Sequence, residues 1–358
     1  MQQIPLNPNG GLTLIPLPTH ERQAQRITQI IQEKDTPVKN TLVDIALPKW
    51  GRRSNGEPFV QLSNTHISGH DVMILAGGPG TPETLLQIML ILAYAKGRHA
   101  RRISLVTGYF PLSRSDKDEG SLELALPGLL YRLFQTSCGG NIDRIIVPDP
   151  HSPQIVMAGG TGVITPVSLM RRLLAKVIDD AQRLGRGRIC LLFPDDGAHK
   201  TFAKPVYSII EAIGIESTPI FTAYKRRYNS TTTQHLGLVT DAESNMALLA
   251  DSLVITLDDE IATGGTNISV AKALRQSHGV SSVWAVATHG ILCGNATERF
   301  SAEDCPIERV YITDTIPIHD RKINTLIEKE ILHVVSWVPD LANIIFFHHW
   351  NMNIREMR

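Results

Sequence analysis

The chain has 358 residues, 35 Lys and Arg against 35 Asp and Glu, and 42% hydrophobic content. That charge balance argues against non-specific nucleic-acid binding, and the length points to about two domains, because single cores stop growing near ~250 residues. The longest dense apolar run, residues 89–95, is far short of the roughly 20 residues of a membrane-spanning helix. The first ten residues lack a basic stretch followed by an apolar one, so no secretory signal is expected. Cys138, Cys190, Cys293 and Cys305 form no C-x-x-C pair, which leads us to expect reduced thiols in a cytoplasmic protein and no zinc. The N-x-S/T matches at Asn229, Asn267 and Asn295 carry no weight without an export signal.

In chain order, residues 12–17 predict a strand and 21–33 a helix with Ile27, Ile30 and Ile31 on one side. Residues 71–76 (DVMILA) predict a buried strand, stopped by Gly77-Gly78-Pro79-Gly80. A helix follows over 81–96, capped by Thr81 with Glu83 in its first turn. Next come a strand at 102–108, a helix over 123–136 with Pro127 as an alternative start, and a strand at 142–147. The second half repeats the alternation. Helices are predicted at 166–184, 206–213 and 267–278, the last stopped by Gly279. Strands are predicted at 187–193, 252–257, 282–288 and 309–313. Continuous apolar strands between amphipathic helices predict α/β units with largely parallel sheets covered on both faces. The tail from 333 carries Ile344-Ile345-Phe346-Phe347, too apolar to be free, and is expected to pack on the body or on another subunit.

The strongest motif follows the strand at 252–257. It reads Asp258-Asp259-Glu260-Ile261-Ala262-Thr263-Gly264-Gly265-Thr266 and leads into a helix. Gly264 and Gly265 let backbone N–H groups converge on an anion, and the helix N-terminus adds partial positive charge. Thr263 and Thr266 add hydroxyl donors. Asp258 and Asp259 sit at the carboxyl end of a strand, where open α/β sheets bind ligands, and can accept from sugar hydroxyls or hold a metal. The spacing is not that of the Walker loop.

This stretch resembles the phosphoribosyl diphosphate loop, D-D-x-x-D-T-G-G-T, of type I phosphoribosyltransferases and ribose-phosphate diphosphokinases. Other blocks resemble the diphosphokinases in order: Arg53-Ser54-Asn55-Gly56-Glu57, residues 109–119 (YFPLSRSDKDE), residues 149–155 (DPHSPQI), Pro194-Asp195-Asp196-Gly197, Lys225-Arg226-Arg227, residues 287–295 and 313–317. The resemblance runs from about residue 50 to about 320. It implies two tandem phosphoribosyltransferase-like domains: 1–165 on the ATP side, 166–330 with the ribose-phosphate loop, and an apolar extension at 331–358. The implied activity transfers the diphosphoryl group of ATP to the 1-hydroxyl of ribose 5-phosphate, with Mg2+ as cofactor. The implied assembly is a homo-oligomer, dimer or hexamer, with no nucleic-acid or membrane partner.

The resemblance also implies roles for residues. Arg53, Asn55 and Glu57 would contact adenine. Arg114, Ser115, Asp116, Lys117 and Glu119 would form the ATP-phosphate loop, with Arg114 suited to a bidentate phosphate contact. His151 would reach the ATP phosphates or their metal, and Asp195 the metal. Lys225 and Arg227 would neutralise charge in the transition state from a flexible loop. Asp258, Asp259 and Thr263 to Thr266 would hold the sugar phosphate. Three positions depart from the family. Arg53 stands where Phe is common, and Ser115 where Gln is. Ala262 replaces the acid before T-G-G-T. The loss at 262 opens two alternatives: a bulkier or more anionic acceptor such as ADP-ribose, or a non-catalytic regulatory paralogue.

Overall fold

The computed structural model describes residues 7–34, 41–63, 66–117, 123–160, 162–215, 217–226, 235–240, 245–318 and 323–354, the side chains of Lys225, Arg226, His235 and Leu236 excepted. The chain forms two compact units. The first comprises residues 1–167, 315–317 and 337–358, the second 168–314 and 318–336.

The first unit contains β1 (Leu12–Pro16), α1 (Glu21–Glu33), β2 (Val43–Ile45), β3 (Pro48–Arg52), β4 (Pro58–Leu62), β5 (Asp71–Ala76), α2 (Pro82–Gly97), β6 (Arg102–Thr107), α3 (Pro127–Ser137), β7 (Arg144–Pro148), α4 (Pro153–Ala158) and β8 (Ile164–Val167). Its main sheet has the order β2-β1-β5-β6-β7-β8, with every adjacent pair parallel. β3 and β4 form a separate antiparallel hairpin. Side chains alternate across a strand, so Ile103 and Leu105 share one face, joining Ile88, Leu92, Leu130 and Phe134 of α2 and α3 in one core.

The second unit contains α5 (Met170–Arg183), β9 (Ile189–Phe193), α6 (Asp196–Ala212), β10 (Ile220–Arg226), β11 (His235–Thr240), β12 (Leu253–Ile261), α7 (Gly265–His278), β13 (Ser282–Gly290), α8 (Ala296–Ser301), β14 (Arg309–Thr313), α9 (Asn324–Glu328) and β15 (Leu332–Val335). The sheet order is β11-β10-β9-β12-β13-β14-β15, parallel except for the β10–β11 pair. Both faces are covered. Cys190, Leu192 and Val254 join the core under α7, whereas Leu191, Phe193 and Ile255 join the core under α5 and α6. This double covering explains why the strands read as continuous apolar runs. The chain returns to the first unit as α10 (Val338–His349), which packs against α1.

Several boundaries differ from those predicted. α3 starts at Pro127, not at 123, because proline is favoured in a first helical turn. Pro166 lies in β8, and α5 begins only at Met170. β8 is an edge strand, where a missing N–H is tolerated. α6 begins ten residues before the predicted 206 and carries Pro205 inside it. Its start is fixed by Asp195, whose Oδ1 accepts from Ala198 N at 2.9 Å. The stretch 331–358 is divided: β15 is an edge strand of the second unit, and α10 belongs to the first. Among the described residues no helix is long and apolar enough to cross a membrane.

Candidate active site

In the second unit, β12 runs through Asp258, Asp259 and Glu260 to Ile261, pairing Asp258 with Ala287 and Glu260 with His289 of β13. The acids therefore stand on a regular strand end rather than in a loop. The turn after it is held from behind, since Leu292 N donates to Ile261 O and Cys293 N to Ala262 O, each at 3.0 Å. Gly264 is left-handed at φ 73°, and a Cβ there would lie 2.5 Å from the Phe300 ring. Only glycine meets both conditions. α7 begins at Gly265, so its first N–H groups face the turn, and Thr263 and Thr266 are exposed beside them.

Asp258 Oδ1 accepts from Asp259 N at 2.9 Å. Burial of its carboxyl, reinforced by the charge and hydrogen bond of Asp259 and the charge of Asp195, pushes it well above the usual carboxylate range. Asp195 is exposed at the start of α6, where it serves as the cap already described. These carboxylates offer only oxygen, the donor set magnesium takes. Lys225 is placed differently from the prediction. It is the sixth residue of β10 and pairs with Leu236 of β11, so its backbone is strand, not loop. Arg227 lies outside the described residues.

In the first unit, Arg53, Asn55 and Glu57 are exposed at the tip of the β3–β4 hairpin. Asn55 Oδ1 accepts from Glu57 N at 3.1 Å, and Gly56 adopts φ 89°. The Arg53 guanidinium lies 5.5 Å from the centre of the Phe59 ring. An aromatic face is thus present on the hairpin although residue 53 is not Phe. Gly51 lies under that ring, since a Cβ at Gly51 would come within 2.5 Å of it. Nothing in the spacing pointed to Phe59.

The segment after β6 packs against the one after β5. Gly108 N donates to Ala76 O at 2.9 Å, and Gly78 N to Tyr109 O at 3.3 Å. A Cβ at Gly108 would stand 1.9 Å from Thr315 O, so this crossing requires glycine. Arg114 and Lys117 are exposed beyond it, Ser115 is half-buried, and Asp116 is buried. Glu119 lies outside the described residues. Thr107 and Ser113 are buried with unpartnered hydroxyls, a feature residue type alone does not reveal. His151 is half-buried after β7, and Ser152, the N-cap of α4, also leaves its hydroxyl unpartnered.

The chain matches two family models: the N-terminal domain of ribose phosphate pyrophosphokinase over residues 12–136, and the phosphoribosyl synthetase-associated domain over 229–336. It is 30% identical over 275 residues to the ribose-phosphate pyrophosphokinase of Buchnera aphidicola, covering 76% of this chain and 79% of that protein. The Marinomonas enzyme of the same name is 27% identical over 300 residues, covering 83% and 84%. The fold matches the crystal structure of phosphoribosylpyrophosphate synthetase from Mycobacterium smegmatis with a TM-score of 0.74 at 24% identity, covering 95% of this chain and 99% of that one. With both halves matched and Asp258-Asp259 and Thr263-Gly264-Gly265-Thr266 standing where β12 ends and α7 begins, the chain belongs to the ribose-phosphate pyrophosphokinase family.

Proposed function

We propose that the protein transfers the diphosphoryl group of ATP to the 1-hydroxyl of ribose 5-phosphate, giving phosphoribosyl diphosphate and AMP. Family membership across both halves is the observation that carries this reading. The sugar oxygen bonds to the β-phosphorus as the bond from that phosphorus to the α,β-bridging oxygen breaks. The electron pair leaves with AMP and the hydroxyl proton passes to solvent. Catalysis then consists of positioning and of neutralising charge.

The acceptor's 5-phosphate is assigned to the turn at Thr263, Gly264, Gly265 and Thr266, where N–H groups and the start of α7 favour an anion. Asp258 and Asp259 accept from the sugar hydroxyls. Asn55 and Glu57 read the adenine edge, with Arg53 beside them. Arg114, Ser115, Asp116, Lys117 and Glu119 form the polyphosphate loop together with His151. Lys225 and Arg227 neutralise the transferred group. Asp195 of the second unit would offer magnesium a carboxylate oxygen, and the bound ion would supply further neutralisation of the polyphosphate. A cytoplasmic location and a homo-oligomeric state belong to the same reading.

The test is AMP formation. ATP, magnesium and ribose 5-phosphate together should yield AMP, and ADP-ribose in place of the sugar phosphate should yield none. Absence of AMP with ribose 5-phosphate would overturn the reading. Lys225→Ala should lower turnover by about 10²-fold or more without moving the denaturation midpoint. Turnover at the wild-type level would remove Lys225 from the site.

A further inference from the structure

Beside the acceptor turn, the second unit holds a cavity of about 330 Å³. That is within the size range of small-molecule sites. One wall is the flank of α7, where Gly265, Ile268, Ser269 and Lys272 recur at helical spacing. The rest of the lining comes from Arg299 of α8 and the stretch after it, including Ala302, Cys305 and Pro306. Ile268, Ala302 and Pro306 give an apolar floor. The charged lining is Lys272, Arg299 and Asp304, and the single acid is 85% exposed and 4.0 Å from Lys272.

Arg299 is the informative residue. Its Nη1 donates to the Thr263 carbonyl at 3.2 Å, and among the described residues no carboxylate pairs with it. A guanidinium has five N–H donors, so one carbonyl leaves most of the fork unused. Gly265 permits this approach, because a Cβ there would lie 3.1 Å from Nη1. An unpaired fork suits two oxygens of one phosphate, and an apolar floor suits a carbon body.

We propose that this cavity binds a small organic phosphate ester, its phosphate on Arg299 and Lys272 and its body on Ile268, Ala302 and Pro306. The cavity shares Gly265 with the acceptor turn, and its other lining residues have no part in the proposed diphosphoryl transfer. Arg299 also holds the Thr263 carbonyl, so occupancy changes the acceptor turn and with it the KM for ribose 5-phosphate. That consequence rests on the proposed function; the binding does not.

Cys305 lines the cavity, and its thiol reports occupancy. Phenyl phosphate is the probe, with benzoate lacking the phosphate and inorganic phosphate lacking the body. Alkylation by iodoacetamide is followed by peptide mass spectrometry. At five times its dissociation constant, phenyl phosphate should slow Cys305 alkylation roughly sixfold, the factor by which free sites are depleted. Benzoate and inorganic phosphate should protect less, and Arg299→Ala, an exposed change, should abolish protection while keeping the denaturation midpoint. The proposal falls if Cys305 is unprotected, if protection persists in Arg299→Ala, or if benzoate protects equally. Slowing at Cys293 alone, whose N–H holds the Ala262 carbonyl, would place the probe in the acceptor turn and also overturn it. In the kinetic arm, phenyl phosphate should change KM about fivefold in the wild type and leave Arg299→Ala unmoved. An unchanged KM with Cys305 protected would overturn the coupling. Cys305 protection without AMP formation would sink the functional reading and leave the site standing.

Discussion

Gly264 carries two demands at once, a left-handed backbone and a bare α-carbon against Phe300. Gly264→Ala should therefore cost more than the roughly 1–2 kcal/mol of the left-handed conformation alone, read as a lower denaturant midpoint, and should raise the KM for ribose 5-phosphate. Asp258 illustrates a cost in the opposite sense. Its carboxyl is raised by burial and by Asp259 and Asp195, so its ionisation is penalised in the folded state. An acid whose folded pKa is raised loses stability as pH climbs from its unfolded value through its folded one. Asp258→Asn should then unfold at a higher temperature than the wild type at neutral pH, the difference vanishing in acid, while diphosphoryl transfer falls. A lower melting temperature at neutral pH would contradict that account. The two glycines and the acids of this turn were legible in the sequence, because their chemistry depends on local order. Phe59, Arg299 and the buried hydroxyls of Thr107, Ser113 and Ser152 were not, because their significance lies in what meets them from elsewhere in the chain.

Among the elements, α10 shows how a terminal helix can be fixed by polar contacts as well as apolar ones. Asp71 at the start of β5 is fully buried. It accepts from Arg102 through both carboxylate oxygens and is 2.9 Å from His349 Nδ1. Arg102 also donates to the His348 carbonyl, Asn9 donates to the His349 carbonyl at 2.7 Å, and Trp350 Nε1 donates to Thr41 at 2.9 Å. The last helix is thus tied to strands more than two hundred residues earlier in the chain. Burial alone would push Asp71 up; hydrogen bonds from His349 and Arg102, with the Arg102 charge, outweigh it and hold the carboxyl below its ordinary value. That contribution is complete above the unfolded value near ~3.9 and is lost as pH falls through the lower folded one. Asp71→Ala should cost about 3–5 kcal/mol at neutral pH, because it strands the Arg102 charge in the interior. Its stability should also fall less steeply than the wild type's as pH drops below about 4. The apolar tail was recognisable as a packing element from Ile344 to Phe347, but its polar partners were not. Asp71 and Arg102 read only as the first residues of strands. Likewise α2 was legible from Thr81, whose hydroxyl accepts from Thr84 N at 3.2 Å. α6 was legible only in its second half, because the helix begins at Asp196 and passes through Pro205, a residue that ordinarily breaks helices.

For the whole molecule, equal numbers of cations and anions conceal a division of labour. The proposed function gives Arg114, Lys117 and Lys225 to polyphosphate, and Asp195, Asp258 and Asp259 to metal and sugar. A neutral total is compatible with a small polyanion that arrives with magnesium. The α/β class and the parallel sheets followed from the alternation of apolar strands and amphipathic helices. The return of residues 315–317 and 337–358 to the first unit did not, since no local pattern marks a segment that belongs elsewhere. The central claim is that two phosphoryl groups move together from ATP to the 1-hydroxyl of ribose 5-phosphate. Phosphorus-31 NMR of the protein with ATP, magnesium and ribose 5-phosphate tests it directly. The account predicts AMP and a sugar-linked diphosphate growing in equal amounts as ATP declines. ADP with a singly phosphorylated sugar, or ATP unchanged, would contradict it.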